Sequence, residues 1–167
     1  MCHDWRPTRE RFAPFLGLSG RRTPGRRQVL SFGWPGYGGV VSGVNDAGVV
    51  GVVLQNYGSD GCDLGGEPVT FRIRRVLEQA TDADDALARA SAAPVASPHF
   101  LLFADARHAA VTWFDGAWHR RAFDGERLVV TNAAPDAAGA QDDRRTRRLA
   151  AVPATADDEI GRASCRE

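Results

Sequence analysis

Apolar and polar positions change rhythm several times along the chain, and the longest apolar run marks its organising stretch. From Gly33 to Gly58 the sequence reads GWPGYGGVVSGVNDAGVVGVVLQNYG. Two runs rich in β-branched residues, Gly38 to Val44 and Gly48 to Gln55, flank the tetrad Asn45-Asp46-Ala47-Gly48. Its Asn, Asp and Gly tolerate or supply the positive φ of a tight turn, so the pattern predicts a β-hairpin. Asn45 and Asp46 read as turn formers and nothing more. Glycines at 38, 39, 43, 48 and 51 remove side chains where a neighbouring layer or a ligand must approach the backbone. The second strand ends in Leu54-Gln55-Asn56-Tyr57-Gly58, which leaves an amide-bearing Asn at a strand end where a site can be built.

Around this hairpin the remaining elements follow from periodicity. Phe12 to Leu18 reads as a strand, Gly20 to Arg27 as a polar turn, and Val29 to Gly33 as a short strand. Ser59 to Gly66 is a Gly-rich loop, and Glu67-Pro68 opens a helix, Pro being tolerated in a first helical turn. Apolar residues at 69, 73, 76, 77 and 80 keep helical spacing over Val69 to Ala80, with Arg72, Arg75 and Glu78 assigned to the outer face. Thr81 or Asp82 caps a second, Ala-rich helix with Asp84 and Asp85 in its first turn, ending before Pro94. Strands return at His99 to Ala104, Ala109 to Phe114, Trp118 to Phe123 and Leu128 to Asn132, and Gln141 to Ala151 is a basic, helix-compatible stretch.

Composition narrows the function classes. The chain has 167 residues, 21 basic and 21 acidic, so no net field favours nucleic acid or an anionic membrane. All its basic residues are Arg, a bias that fits a GC-rich genome. Cysteines at 2, 62 and 165 form neither a CxxC pair nor a disulfide framework, which favours a reducing, cytoplasmic setting. No stretch approaches the ~20 apolar residues of a membrane span. Residues 159–167 match what a sequencing-adapter oligonucleotide encodes when read as protein, so the domain is taken as residues 1–158.

Several ordered motifs, Asp4-Trp5, the GWPG…GVNDAG…LQN run, the Glu67 to Phe71 helix start, the Ser97 to Asp105 strand and Val130-Thr131-Asn132, together resemble one family. It is the acyl-CoA:6-aminopenicillanic-acid acyltransferase type of N-terminal-nucleophile hydrolase, a relative of the choloylglycine hydrolases, and the resemblance spans about residues 1 to 150. The resemblance implies an α+β fold, a four-layer αββα sandwich that is incomplete in this chain. It also implies a chain-terminal Cys that attacks an amide or thioester carbonyl, with its own α-amine, of pKa near ~8, as base. Asp4 would orient that amine, Asn56 would donate to the oxyanion, and Asn132 would help hold the site. Arg145 is the choice for an Arg on the following helix, with Arg144, Arg147 and Arg148 equally placed by register.

Each of these residues also has a plain structural reading. Asp4 can be a solvated terminal residue, Asn56 and Asn132 can form Asx-turns, and arginines 144–148 can line a solvated helix face. Trp34, Trp113 and Trp118 read as core or sheet-face aromatics, and His3, His99, His108 and His119 form no Ser-His-Asp arrangement. Cys2 stands two residues before Asp4, where the family carries an Asn, whereas the nucleophile belongs on the preceding hairpin strand, roughly 12 to 20 residues upstream. The expected function is therefore a fragment of an acyltransferase or hydrolase of linear amides or thioesters, inactive without its nucleophile. A choloylglycine-hydrolase-like amidase and a non-catalytic β-rich binding module are the alternatives. No cofactor or metal is expected, the expected partner is a small amide or acyl thioester, and a homo-oligomer is allowed.

Overall fold

The computed structural model describes residues 13–56, 63–123, 128–132 and 151. Among the described residues an antiparallel sheet carries seven strands in sequence order: β1 Gly17–Arg21, β2 Val29–Gly33, β3 Ser42–Asn45, β4 Val50–Gln55, β5 His99–Ala104, β6 Ala109–Phe114 and β7 Trp118–Ala122. Between β4 and β5 the chain leaves the sheet to form α1, Val69–Leu77, and α2, Ala83–Ala90, and then returns to pair beside the strand it left. The α+β class expected from the sequence is thus present as a meander with one helical insertion.

The hairpin at its centre closes around Gly48, whose φ of 81° favours glycine. Asn45 does more than turn the chain. Its Oδ1 accepts from the amides of Ala47 and Val49 at 3.0 and 2.9 Å, while its Nδ2 donates to the carbonyls of Leu77 and Ala80 at 3.0 and 2.8 Å. One buried side chain therefore fastens the hairpin to carbonyls that the end of α1 leaves unpaired. Asp46 adds an outer tie, accepting from the Gln28 amide and from Arg27, and these bonds hold its carboxyl below the ordinary value. The reading of both residues as mere turn formers is corrected by these bonds.

Both helices cover the same sheet face. The cross-strand row Gly43, Gly51, Phe103, Ala110 faces them, and the glycines leave room for α1. A Cβ on Gly51 would stand 3.1 Å from Phe103 and 3.4 Å from both Ile73 and Leu77. Ile73, Leu77, Leu101 and Phe103 are completely buried there. Asp82 caps α2 through the Asp85 amide, and Asp85 accepts in return from the Thr81 amide, a reciprocal arrangement that satisfies two backbone donors.

Several boundaries depart from expectation. Pro14, with fixed φ and no amide proton, sits in a short 3-10 turn at Ala13–Phe15, so the first strand starts at Gly17 and runs through the glycine at 20. The turn expected over 20–27 is correspondingly displaced to the stretch between β1 and β2. Residues 38–41 precede β3 and are not part of it, and α1 ends at Leu77 with Glu78 as its cap, not at Ala80. Leu128–Asn132 is not a strand; its apolar side chains rest on the sheet without a backbone ladder. Of the stretch 141–151, only Ala151 is described, and it is helical.

The largest correction concerns Arg72. Position 72 lies three residues after Val69 on the inner side of α1, and its side chain is 1% exposed. Nη1 donates to the carbonyls of Ala90 and Ala93 at 2.8 and 3.0 Å, Nη2 donates to that of Pro94 at 3.0 Å, and Nε pairs with Glu67. A guanidinium is tolerated in the core because four of its five N–H donors are engaged along a fixed fork.

A candidate active site at the end of strand β4

Asn56 follows β4 directly and is 2% exposed. Its backbone amide donates to the Pro98 carbonyl at 3.1 Å, and the preceding Gln55 sends Nε2 to the same oxygen at 3.3 Å. Gln55 in turn accepts at its own carbonyl from Asn132 Nδ2 at 2.8 Å, across 77 positions of sequence. The structure thus brings Asn132 to the residue beside Asn56. Thr131 is buried next to Asn132.

Period-two alternation in β4 puts Val50, Val52 and Leu54 on the face opposite the helices, and Asn56 continues that row. At this end of the sheet the face is apolar and covered: Phe100, Val111 and Trp113 form a buried cluster, against which Leu54, Leu128 and Val130 pack. Phe100 and Trp113 meet edge-on at 5.8 Å, and His119 stacks on Trp113 at 5.3 Å. Trp113 and Trp118 are therefore the sheet-face aromatics expected. The strand end combines a buried amide with an apolar wall, a setting in which a hydrogen bond to developing negative charge gains strength from the low dielectric.

His99 lies opposite Gln55 in the β4–β5 register, with Nδ1 3.2 Å from Ser97 Oγ and 3.1 Å from the Ser97 carbonyl. Nothing in its sequence spacing singles it out. Two other described carboxylates make structural ties. Asp105 accepts from the amides of Ala83, Arg107 and His108, which lower its pKa to about 2 and tie the β5–β6 turn to the start of α2. Burial pushes the Glu67 carboxyl up, but hydrogen bonds from Arg75 and Arg72 outweigh it and leave the group below its ordinary value. Asp4, Arg145 and its neighbours 144, 147 and 148, and the three cysteines at 2, 62 and 165 lie outside the described residues.

Neither a protein-family model nor a curated protein matches the sequence. Solved structures do match its fold. The Caenorhabditis elegans ortholog of N-acylethanolamine-hydrolyzing acid amidase superposes with a TM-score of 0.70 at 18% identity, over 94% of this chain and 76% of that one. Penicillin V acylase from Agrobacterium tumefaciens gives 0.53 at 18% identity, over 78% and 43%. The R18L variant of conjugated bile acid hydrolase from Clostridium perfringens gives 0.44 at 15% identity, over 59% and 36%. This chain therefore spans less than half the length of the last two. At these identities the likeness is one of fold: an antiparallel sheet with a pair of helices, similar to that of the Caenorhabditis elegans amidase.

Proposed function

We propose that the chain is part of an N-terminal-nucleophile hydrolase or acyltransferase acting on linear amide or thioester bonds. The observation that carries this reading is the convergence of Asn56 and Asn132 on the end of β4, within a fold similar to that of an N-acylethanolamine-hydrolyzing amidase. In the proposed mechanism a terminal Cys, supplied from upstream of residue 1, attacks the acyl carbon with its α-amine as base. The carbonyl oxygen becomes an oxyanion to which Asn56 Nδ2 donates. Asn132, through Gln55, holds the strand end in place, Asp4 orients the amine, and Arg145 completes the site. The leaving amine or thiol takes the proton, and water then hydrolyses the thioester, or an acceptor amine aminolyses it. The apolar wall of Leu54, Phe100, Trp113 and Val130 suits the acyl portion of such a substrate.

The same reading proposes a second sheet over the face opposite the helices, making the four-layer sandwich. In its support, the cross-strand row from Leu18 through Phe32 to Val52 and Leu102 is apolar at four of its five positions, with Ser42 between, although Leu18 is 72% and Phe32 49% exposed. To test the function, residues 1–158 and a form extended by the upstream coding sequence are assayed on linear N-acyl amides and acyl thioesters. Hydrolysis by the extended form alone is expected. Turnover by the short form that disappears in Cys2→Ser would make Cys2 the nucleophile and overturn the upstream assignment.

A further inference from the structure

We infer that buried Arg72 is a positioning residue for the strand-end site, acting through the segment that joins α2 to β5; the link to catalysis rests on the function proposed above. Three consecutive sets of bonds connect the two. Arg72 first holds the carbonyls of Ala90, Ala93 and Pro94. The next residues then pair with the chain entering α1: the Ala96 amide donates to the Glu67 carbonyl at 2.9 Å, the Asp63 amide donates to the Ala96 carbonyl at 3.1 Å, and Glu67 and Val95 form a parallel bridge. Finally Pro98 presents its carbonyl to Asn56 and Gln55.

Asn56 and Asp63, which stand on either side of residues 57–62, are therefore both tied to residues 96–98. Prolines at 94 and 98 restrict φ at both ends of this short span, so a displacement at Pro94 passes to Pro98 with little room for absorption between. Contact with the chain around Glu67 is equally tight: a Cβ on Gly66 would lie 2.5 Å from the Val95 carbonyl carbon. Glu67 closes the loop, since its carboxylate pairs with Arg72 while its backbone pairs with Ala96. Core packing alone would be served as well by an apolar residue at 72; only a forked donor reaches three carbonyls of one turn and a carboxylate at once.

The test is native-state amide exchange on the full chain carrying Arg72→Lys, and separately Glu67→Gln. A lysine keeps the charge but cannot span the three carbonyls. The Asn56 and Ala96 amides are expected to exchange at least about tenfold faster in Arg72→Lys and several-fold faster in Glu67→Gln. The amides of Asn45 and Val53, bonded to the carbonyls of Val49 and Val41 at the central hairpin, should keep their rates. Should Arg72→Lys fail to fold, the exchange rates of Glu67→Gln decide the question. In the active extended form, Arg72→Lys should lower kcat with KM little changed. Exchange that rises uniformly, or an Asn56 amide that does not respond, would overturn the inference. The exchange result decides whether Arg72 sets the position of Asn56 even if Asn56 proves to have no part in catalysis.

Discussion

The two faces of the sheet are built from similarly apolar strands and end in different states. On the helix side, Phe103, Leu101, Ile73 and Leu77 are sealed, and the glycine row lets α1 sit close enough to leave no gap. On the other side, among the described residues, Leu128 and Val130 cover the β4–β6 end, while Leu18, Leu30, Phe32 and Val50 stand exposed. Apolar alternation in a strand thus records that a face is meant for burial. It does not record what buries it. The candidate site lies at the covered end of the less protected face, where Asn132 bonds to Gln55 beside Asn56.

Truncations should separate the faces most sharply. Phe103→Ala is expected to cost about 3–5 kcal/mol, because the cavity would open between sheet and helices. Leu18→Ala should change stability by no more than about 0.5 kcal/mol, since that side chain loses little contact. Denaturant unfolding measures both, and comparable losses would show that the outer face is as tightly packed as the inner one.

Overpacking probes the same difference from the other direction. Gly51→Val should destabilise by about 1–3 kcal/mol, because its methyls would meet Phe103, Ile73 and Leu77. Asn45→Ala should cost about 1–3 kcal/mol by leaving the Leu77 and Ala80 carbonyls without their donor. Thermal melts of the two variants check these values, and a neutral Asn45→Ala would mean that the hairpin and α1 are not coupled through that side chain.

The smallest effect is that of acid. Asp105 has a folded pKa of about 2 against an ordinary 3.8, so its contribution is fully present above 3.8 and is lost as pH falls towards about 2. The carboxyls of Asp46, Glu67 and Asp85 are lowered as well and act in the same direction. Stability should therefore decline on going from pH 4 to pH 2, with α2 loosening first because Asp105 holds its Ala83 amide. Asp105→Asn should flatten that decline without abolishing it. An unchanged slope would show that Asp105 does not contribute to it.

Local chemistry makes much of this legible. The Asn45 to Gly48 turn, the spacing of Val69 to Leu77 and the acidic start of α2 each depend on neighbours within a few residues, and each forms at or near its expected place. Arg72 is misplaced by the sequence pattern because charge argues for the outer face while helical position argues for the inner one. At 69 plus 3 it belongs to the buried side, and its partners at 90, 93 and 94 are too far along the chain to be inferred. Leu128–Asn132 has strand composition but is none of the seven described strands; Leu128 and Val130 instead lay their side chains on the sheet. The nearness of Asn132 to Gln55 is legible only through resemblance to a family, because no periodicity relates residues 77 positions apart.

The proposed donation from Asn56 to the oxyanion is tested by turnover of a linear amide substrate by the upstream-extended enzyme with and without Asn56→Ala. Turnover should fall by roughly 10²-fold or more, with KM and the unfolding midpoint nearly unchanged, because the interaction is made in the transition state. Turnover unchanged by the substitution, in a variant that folds as the parent does, would contradict the claim.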